Sequence, residues 1–366
     1  MAQLFLSLAG EGRGHATRAR VLIEALRREH SLRIFAPADG HDFLAPLYAG
    51  TGVDLRPMPG PVFGYDRQGD VDYLATARAN LGYTLRLNGL VSRLAAELRE
   101  ARPDLVIADF EPALPRAARR VGVPFVSLDH QHLLVTHEIP GLPPKARRML
   151  PLLRTVVRAY HQGAAKTLVS SFHAGPLRQG VRDVATVGVL LRPEITASRF
   201  THGDYLVAYF RKRAPEGVLD VLARSGRPVR IYGLGERADQ GSLVFRPISE
   251  RDFLDDLASC AAVVTTAGNQ LIGEALSLQK PVLATPEPGN VEQVVNAALL
   301  EDSGCGRGLV EGGLDDATLT AFLNRLPAYR EAAASRCFDG TRDVLAVIDE
   351  QLREERPIHP ILAPAT

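Results

Sequence analysis

The chain has 366 residues, 46% of them hydrophobic, and a net charge of +1. This length favours two domains with ample core, and the balanced charge gives no electrostatic case for a nucleic-acid partner. The three cysteines, Cys260, Cys305 and Cys337, fit neither a zinc pattern nor a disulfide framework, so a reducing cytoplasm is the expected home.

The N-terminal M-A-Q-L-F-L-S-L-A-G has no basic lead and its apolar run stops at a glycine loop. It predicts a first strand over residues 4–8 rather than a signal peptide. No segment approaches the roughly 20 apolar residues needed to span a bilayer. A helix over 17–29 follows, with Val21, Leu22, Ala25 and Leu26 at helical spacing. Next come a strand over 32–36, mostly helix over 73–100, a strand over 104–108 and a helix over 113–120. A strand over 125–129, a helix over 151–165 and short strands over 167–170 and 185–187 complete the first half. Strands nearly continuous in Val, Ile and Leu, alternating with helices, indicate a parallel sheet covered on both faces.

A second series starts near Tyr205. It comprises strands over 206–210, 229–232 and 243–246, with helices over 215–224 and 250–258. Then a strand over 261–266 leads through Ala267-Gly268-Asn269 into a helix over 270–277, and a strand over 281–285 follows. The expected layout is an α/β protein with two Rossmann-like parallel-sheet domains facing a cleft. The N-terminal domain covers 1–190, the nucleotide-binding domain covers 201–341, and a helix and tail over 342–366 cross back. The domains join near 189–200, where Pro193 interrupts.

The densest signal is the strand–turn–helix around Gly268. Free N–H groups at a helix N-terminus, reinforced by the helix dipole, favour a phosphate. Thr266, Ala267, Gly268, Asn269 and Gln270 form that turn. Glu274 lies about one turn beyond, placed to accept from the two hydroxyls of an attached ribose. Glu292, Gln293 and Asn296 follow Pro286; such carboxylate and amide groups grip sugar hydroxyls, or simply start a helix. Arg211 ends a strand and either reaches a phosphate or sits in a solvated turn. Gly233 and Gly235 let backbone approach a flat base, and the loop over 247–251, with Ile248, offers backbone groups to a base edge.

In the first half, the opening strand runs into G-E-G-R-G-H-A-T-R-A, residues 10–19. As a dinucleotide-binding turn it fails, because His15 stands where the third glycine belongs. It does place His15 at a helix start outside a strand's C-terminal end, as a base, a substrate hydrogen-bonder or a core histidine. Gly12, Arg13 and Gly14 lie against the same space, whereas Arg18 and Arg20 read as solvated charges. Asp109 and Glu111 end one strand, and Asp129, His130, Gln131 and His132 end the next, as bases, orienting groups or caps. Asp-x-Asp over 70–72 matches a metal-binding pair in form, but no apolar strand precedes it and it reads as solvated loop. Lys145, Arg147, Arg148, Arg154 and Arg158, with Met149, Leu150, Leu152 and Leu153, make either a basic amphipathic membrane-facing patch or a partly buried helix.

Two motifs, T-A-G-N-Q-L-I-G-E-A-L-S-L-Q-K-P-V-L-A-T-P with E-Q-V-V-N-A, and G-E-G-R-G-H-A-T-R-A, resemble the GT-B glycosyltransferases. The likeness is greatest to the bacterial branch that includes the peptidoglycan N-acetylglucosaminyltransferase. It implies a donor-binding C-terminal domain and an acceptor-binding N-terminal one. It also implies inversion, no metal and no cofactor beyond the nucleotide-sugar substrate. Gly268 and Asn269 would lie at the diphosphate and Glu274 on the ribose diol. Glu292 and Gln293 would touch the donor sugar, with Asn296 in support. Gly12, Gly14 and His15 would face the phosphates and acceptor. The turn departs from the small-Gly-Gly of many relatives, and D-H-Q-H replaces that branch's His-Glu pair. The expected reaction moves a sugar from a nucleoside diphosphate, UDP, to a small or lipid-linked acceptor. His15 or Asp109 serves as base, and Glu111, Asp129 and His130 face the acceptor side. A nucleotide-sugar hydrolase on this fold and a non-catalytic binder are the alternatives.

Overall fold

The computed structural model describes residues 1–10, 13–67, 71–160, 162–211, 213–247 and 249–354. Gly12, Ile248, Asp70 and the tail from 355 lie outside the described residues.

The first half runs β1 (Gln3–Leu8), α1 (Arg13–Leu26), β2 (Ser31–Ala36), α2 (Ala38–Tyr48), β3 (Asp54–Pro57), α3 (Tyr73–Ala79) and α4 (Leu81–Ala101). It continues with β4 (Leu105–Asp109), α5 (Ala113–Val121), β5 (Phe125–Asp129), α6 (Leu133–Thr136), α7 (Pro144–Tyr160), β6 (Lys166–Ser170) and β7 (Val184–Val187). After the connecting α8 (Pro193–Ala197) come β8 (Leu206–Tyr209), α9 (Val218–Ala223), β9 (Val229–Tyr232), β10 (Leu243–Arg246) and α10 (Glu250–Ser259). The chain closes with β11 (Ala262–Thr265), α11 (Asn269–Ser277), β12 (Val282–Ala284), α12 (Val291–Ser303), β13 (Gly306–Gly308), α13 (Asp316–Asn324), α14 (Leu326–Ala334) and α15 (Thr341–Glu354).

All the strand pairings of the two sheets are parallel. The seven-stranded sheet has the order β3-β2-β1-β4-β5-β6-β7 and the six-stranded sheet β10-β9-β8-β11-β12-β13. Each therefore has a switch point, between β1 and β4 in one and between β8 and β11 in the other. Loops leaving the two strands there diverge and open a crevice at their C-terminal ends. The His15 loop leaves β1, Asp109 ends β4, Arg211 follows β8 and the Gly268 turn follows β11.

The central strands β4 and β5 are buried along their whole length, as expected where helices cover both faces. The sheet of the first half packs Leu4, Leu6, Ile34 and Ile107 against Leu22 and Ile23 of α1. Val344, Ile348 and Leu352 of α15 lie in the same cluster. The chain reaches it alongside the connecting segment, where Val189 and Asp339 form a parallel bridge and Gly340 N donates to Val189 O at 2.9 Å. Glycine is required at Gly188 by contact alone: a Cβ there would lie 2.3 Å from Phe338 O.

Several expectations on element bounds are corrected. The first helix begins at Arg13 rather than 17, so His15 is within its first turn. The helix expected over 215–224 shortens to α9, because Gly217 takes a left-handed conformation (φ 72°) ahead of it. α7 starts at Pro144 and carries Pro151 inside it. α2, β3, β13, α13 and α14 were not read from the sequence. β3 and β13 are edge strands of four and three residues, and neither D-L-R-P nor G-R-G carries an apolar strand pattern.

Candidate active site at the interdomain cleft

His15 sits in the first turn of α1, and Asp109 is the last residue of β4, paired with Leu8 in register. His15 Nδ1 lies 2.8 Å from Asp109 Oδ1. Arg18, one turn along α1, donates from Nε to Oδ2 at 2.9 Å and from Nη2 to Oδ1 at 2.8 Å. The expectation of a solvated Arg18 is thus corrected: it is 3% exposed, and Asp109 is 1% exposed. Burial pushes the Asp109 carboxyl up, but the Arg18 charge, His15 and their hydrogen bonds outweigh it and hold the group below the usual carboxylate range. An ionised Asp109 can only accept, so Nδ1 carries a proton, and Nε2 is the nitrogen that holds the lone pair whenever the ring is neutral. Arg18 Nη2, 3.1 Å from Nδ1, is then a neighbour sharing Oδ1 and not a donor to the ring. This is the arrangement of an oriented general base.

Phe110, the next residue, has φ 51° and stacks on Tyr160 with ring centroids 4.8 Å apart. Ala267, just after β11, has φ 69°. Non-glycine residues in this region cost about 1–3 kcal/mol and concentrate where function holds them. Both follow switch-point strands.

Across the cleft, α11 begins at Gly268 without a side-chain cap, and Gly268 is exposed. A Cβ on Gly14 would lie 3.9 Å from the Gln270 Cβ, so the first turns of α1 and α11 face one another. Neither turn contains an acidic residue. Two helix N-termini therefore converge on one space, an arrangement that favours an anion.

The side chains around that space are committed differently from the sequence expectation. Asn269, expected at the diphosphate, accepts from Phe172 N at 3.2 Å and donates to Ser170 O at 3.1 Å, tying α11 to the end of β6. Gln270 donates to Leu190 O at 2.7 Å. Glu274, expected on a ribose diol, is 1% exposed and receives Arg192 at both oxygens, Nε at 2.9 Å and Nη2 at 2.6 Å. No open pair of acceptors stands there in this structure. Arg192 also donates to Glu250, as does Arg20, which is likewise not a solvated charge. Gln293, expected on the donor sugar, folds back on its own loop and accepts from Glu287 N at 2.7 Å. Asn296 is buried; it donates to Ala267 O at 2.9 Å and accepts from His130 Nε2 at 2.6 Å. Thr266 is buried beside the turn. Glu292 remains at the cleft, accepting from Gln131 Nε2 at 3.2 Å. Arg211 meets Tyr65 Oη of the first half at 2.6 Å. Gly233 is needed by its own fold, since its φ is 90° and a Cβ would lie 2.1 Å from Phe210 O. Arg13 is exposed and lies over Phe43, 5.8 Å from the ring centroid.

The acceptor-side candidates are also re-placed. Glu111 is fully buried and caps α5, accepting from Ala113 N at 2.6 Å and Leu114 N at 2.9 Å. It is a cap rather than an open carboxylate. Asp129 accepts from Ser127 Oγ and from His132, whose Nδ1 is 2.8 Å from Oδ2. His130 donates from Nε2 to Asn296 Oδ1, with Nδ1 3.1 Å from Ser170 O, so the buried ring joins the halves. Asp72 caps α3 through the N–H groups of Leu74 and Ala75. On α7, Leu150 is buried, while Leu152 is 54% and Val156 40% exposed beside exposed Lys145, Arg147, Arg148 and Arg158. Among the described residues no His, Cys, Asp and Glu group could hold a metal ion, and no helix is long and apolar enough to cross a membrane.

The His132–Asp129 pair makes stability depend on pH. Burial pulls the His132 imidazolium down in pKa, but Asp129 outweighs it and raises the group above its ordinary 6.5. A raised folded value means that the stabilisation is complete below 6.5 and is lost as pH rises through the folded value. Urea unfolding of wild type and His132→Gln should therefore differ most on the acid side of that value and converge on the alkaline side.

Comparison with known proteins shows the family and the fold. The model of glycosyl transferase family 1 matches residues 2–327. The chain belongs to that family. An uncharacterised glycosyltransferase of Methanosarcina acetivorans is 27% identical over 336 residues, 83% of this chain and 85% of the relative. The structure of Arabidopsis thaliana UGT89C1 complexed with UDP-L-rhamnose superposes with a TM-score of 0.67 at 13% identity, over 97% of this chain and 99% of that one. MurG of Acinetobacter baumannii gives 0.60 at 12%, over 96% and 100%. The family glycosyltransferase therefore has the GT-B fold expected from its sequence. Arg18 and Arg192 form buried ion pairs at this cleft that the sequence reading did not foresee. Arg18 was signalled by its i, i+3 spacing from His15; nothing local signalled Arg192.

Proposed function

We propose that this glycosyltransferase moves a sugar, with inversion and without a metal, from a nucleoside diphosphate to an acceptor hydroxyl, and that the nucleotide is UDP. The observation that carries the reading is His15 fixed by Asp109 beside the paired first turns of α1 and α11. In the reaction, the acceptor oxygen gives its proton to His15 Nε2 and forms a bond to the anomeric carbon. The bond from that carbon to the diphosphate oxygen breaks on the opposite face. The departing charge meets the N–H groups from Gly268 to Gln270. Asp109 holds the ring in the correct tautomer and balances the imidazolium that forms. Solved proteins of this fold carry UDP-L-rhamnose, UDP and thymidine diphosphate, which supports a nucleotide-sugar donor. The exposed leucine, valine and basic residues of α7 suit an acceptor presented at a lipid surface.

A thermal-shift panel of UDP-, dTDP- and GDP-sugars, with and without EDTA, tests the reading. UDP-sugars should raise the melting temperature most, and EDTA should leave the shift unchanged. No stabilisation by any nucleotide sugar, together with no turnover, sinks it.

A further inference from the structure

The second sheet has an edge that faces away from the cleft. Its strands are parallel, so the chain enters all of them on one side and leaves them toward the Gly268 turn on the other. A four-residue strand such as β11 separates the two edges by about 13 Å. Four basic side chains gather at the entry edge. Arg227 precedes β9, His202 precedes β8, Lys280 precedes β12, and Arg330 comes from α14. The strands β9, β8, β11 and β12 are neighbours in the sheet, so their entry segments lie side by side.

Hydrogen bonds fix the cluster. Lys280 is fully buried, and its Nζ donates to Thr201 O, to Cys260 O at 3.1 Å and to His202 Nδ1 at 3.3 Å. Arg330 Nη2 donates at 3.0 Å to Ala261 O, the next carbonyl after Cys260. Arg227 Nη1 donates at 2.9 Å to Asp204 O, two residues from His202. Among the described residues, these four side chains hydrogen-bond only to backbone carbonyls and to one another, never to a carboxylate. The Cys260 thiol adds no counter-charge, because burial pushes it up to about 12. Burial, with the Arg330 charge, pulls the Lys280 ammonium down to about 8. Burial and neighbouring cations also lower His202 and Arg330. Like charges held together without a neutralising group are costly, and an anion relieves them.

The donors left over suit such an anion. His202 is exposed, and with Nδ1 accepting from Lys280 the neutral ring carries its proton on Nε2. Arg227 Nε and Nη2 and Arg330 Nη1 have no acceptor among the described residues. A tetrahedral dianion offers several acceptor oxygens and two charges, which guanidinium groups match well. We infer that this entry edge of the second sheet binds a phosphate dianion, free or as the phosphoryl group of a monoester. Arg227, Arg330 and His202 hold it, and Lys280 supplies buried charge behind them. The site lies outside the cleft and does not depend on the transferase reading.

Calorimetric titration of the full chain with orthophosphate, at constant ionic strength in chloride and with and without saturating UDP, tests this. Wild type should bind phosphate equally in both conditions. Arg227→Gln and Arg330→Gln should each weaken it by about 10–100-fold, the worth of a charge-assisted hydrogen bond, and leave UDP affinity within about threefold of wild type. The His202 ring resonances should move on phosphate addition in wild type. Should Arg330→Gln fail to fold, Arg227→Gln must show the loss alone. Vesicles of phosphatidylcholine with phosphatidic acid separate the sources. Capture that Arg227→Gln abolishes assigns the phosphoryl group to a lipid, and orthophosphate binding without capture assigns it to a free anion. Binding of neither overturns the inference. Phosphate binding that disappears when UDP is present, or that both variants retain, also overturns it, since the cations then only pin the strand-entry carbonyls.

Discussion

Replacing His15 by alanine is expected to lower kcat for sugar transfer by about 10²–10⁴-fold, the usual contribution of a general base. UDP affinity should be nearly unaffected, because the anion site of α11 is built from backbone. This separation of turnover from binding follows from the architecture. The imidazole comes from the first domain and the helix end from the second, and Gly14 faces Gln270 where the two turns meet. A chain that only bound nucleotide sugars would show no such loss. Steady-state rates beside calorimetric UDP binding check it. If water replaces the acceptor, the same variant loses sugar release from the donor in the absence of any acceptor. Transfer retained within about threefold of wild type would remove His15 from the chemistry.

Arg192→Leu is expected to cost about 3–5 kcal/mol of stability, because it strands a carboxylate that is almost fully buried. Glu274 is 1% exposed and, among the described residues, its carboxylate receives only Gln270 Nε2, at 3.1 Å, besides Arg192. One amide does not replace a guanidinium that meets both oxygens. The pair itself is a different matter, since desolvating two ions offsets much of their attraction. The double variant Arg192→Leu with Glu274→Leu should therefore recover most of the loss. Urea unfolding of the single and double variants decides this. A single-variant loss under about 1 kcal/mol would mean that water or a rearranged Arg20 solvates the carboxylate. The measurement also reports on the seam between the domains, because Arg192 lies in the connecting segment and its network reaches Arg20 through Glu250.

The strand–helix alternation of the two parallel sheets and the two cleft-facing turns were legible because they rest on local signals. A-A-V-V-T-T followed by Ala-Gly-Asn, and F-L-S-L followed by the glycine loop, are readable within a ten-residue window. His15 and Asp109 were legible as strand-end groups, though not as partners, since 94 residues separate them. What failed was the assignment of single side chains. Asn269, Gln270, Asn296 and Glu274 have donor and acceptor groups suited to a nucleotide, and the same groups suit a domain seam. Local sequence cannot distinguish a hydroxyl from Ser170 O or an Arg192 guanidinium as the partner. Arg18 and Arg20 show the converse error: both are charged residues on an amphipathic helix, and their carboxylate partners come from β4 and α10. Glu111 was one of two plausible roles, and the N–H groups of α5 decided for the cap.

The packing of α15 bears on how the molecule is made. Val344, Ile348 and Leu352 fill the same cluster as Leu4 and Ile34, so the first domain borrows part of its interior from the last helix. Domains usually fold as units as they leave the ribosome, N-terminal first. Here the first sheet can assemble early, but one flank of its core stays bare until α15 has been synthesised. The second domain, contiguous in sequence, has no such wait. The later-made domain is therefore free to finish before the earlier one, and its completion carries α15 into place along the bridge at Val189 and Asp339.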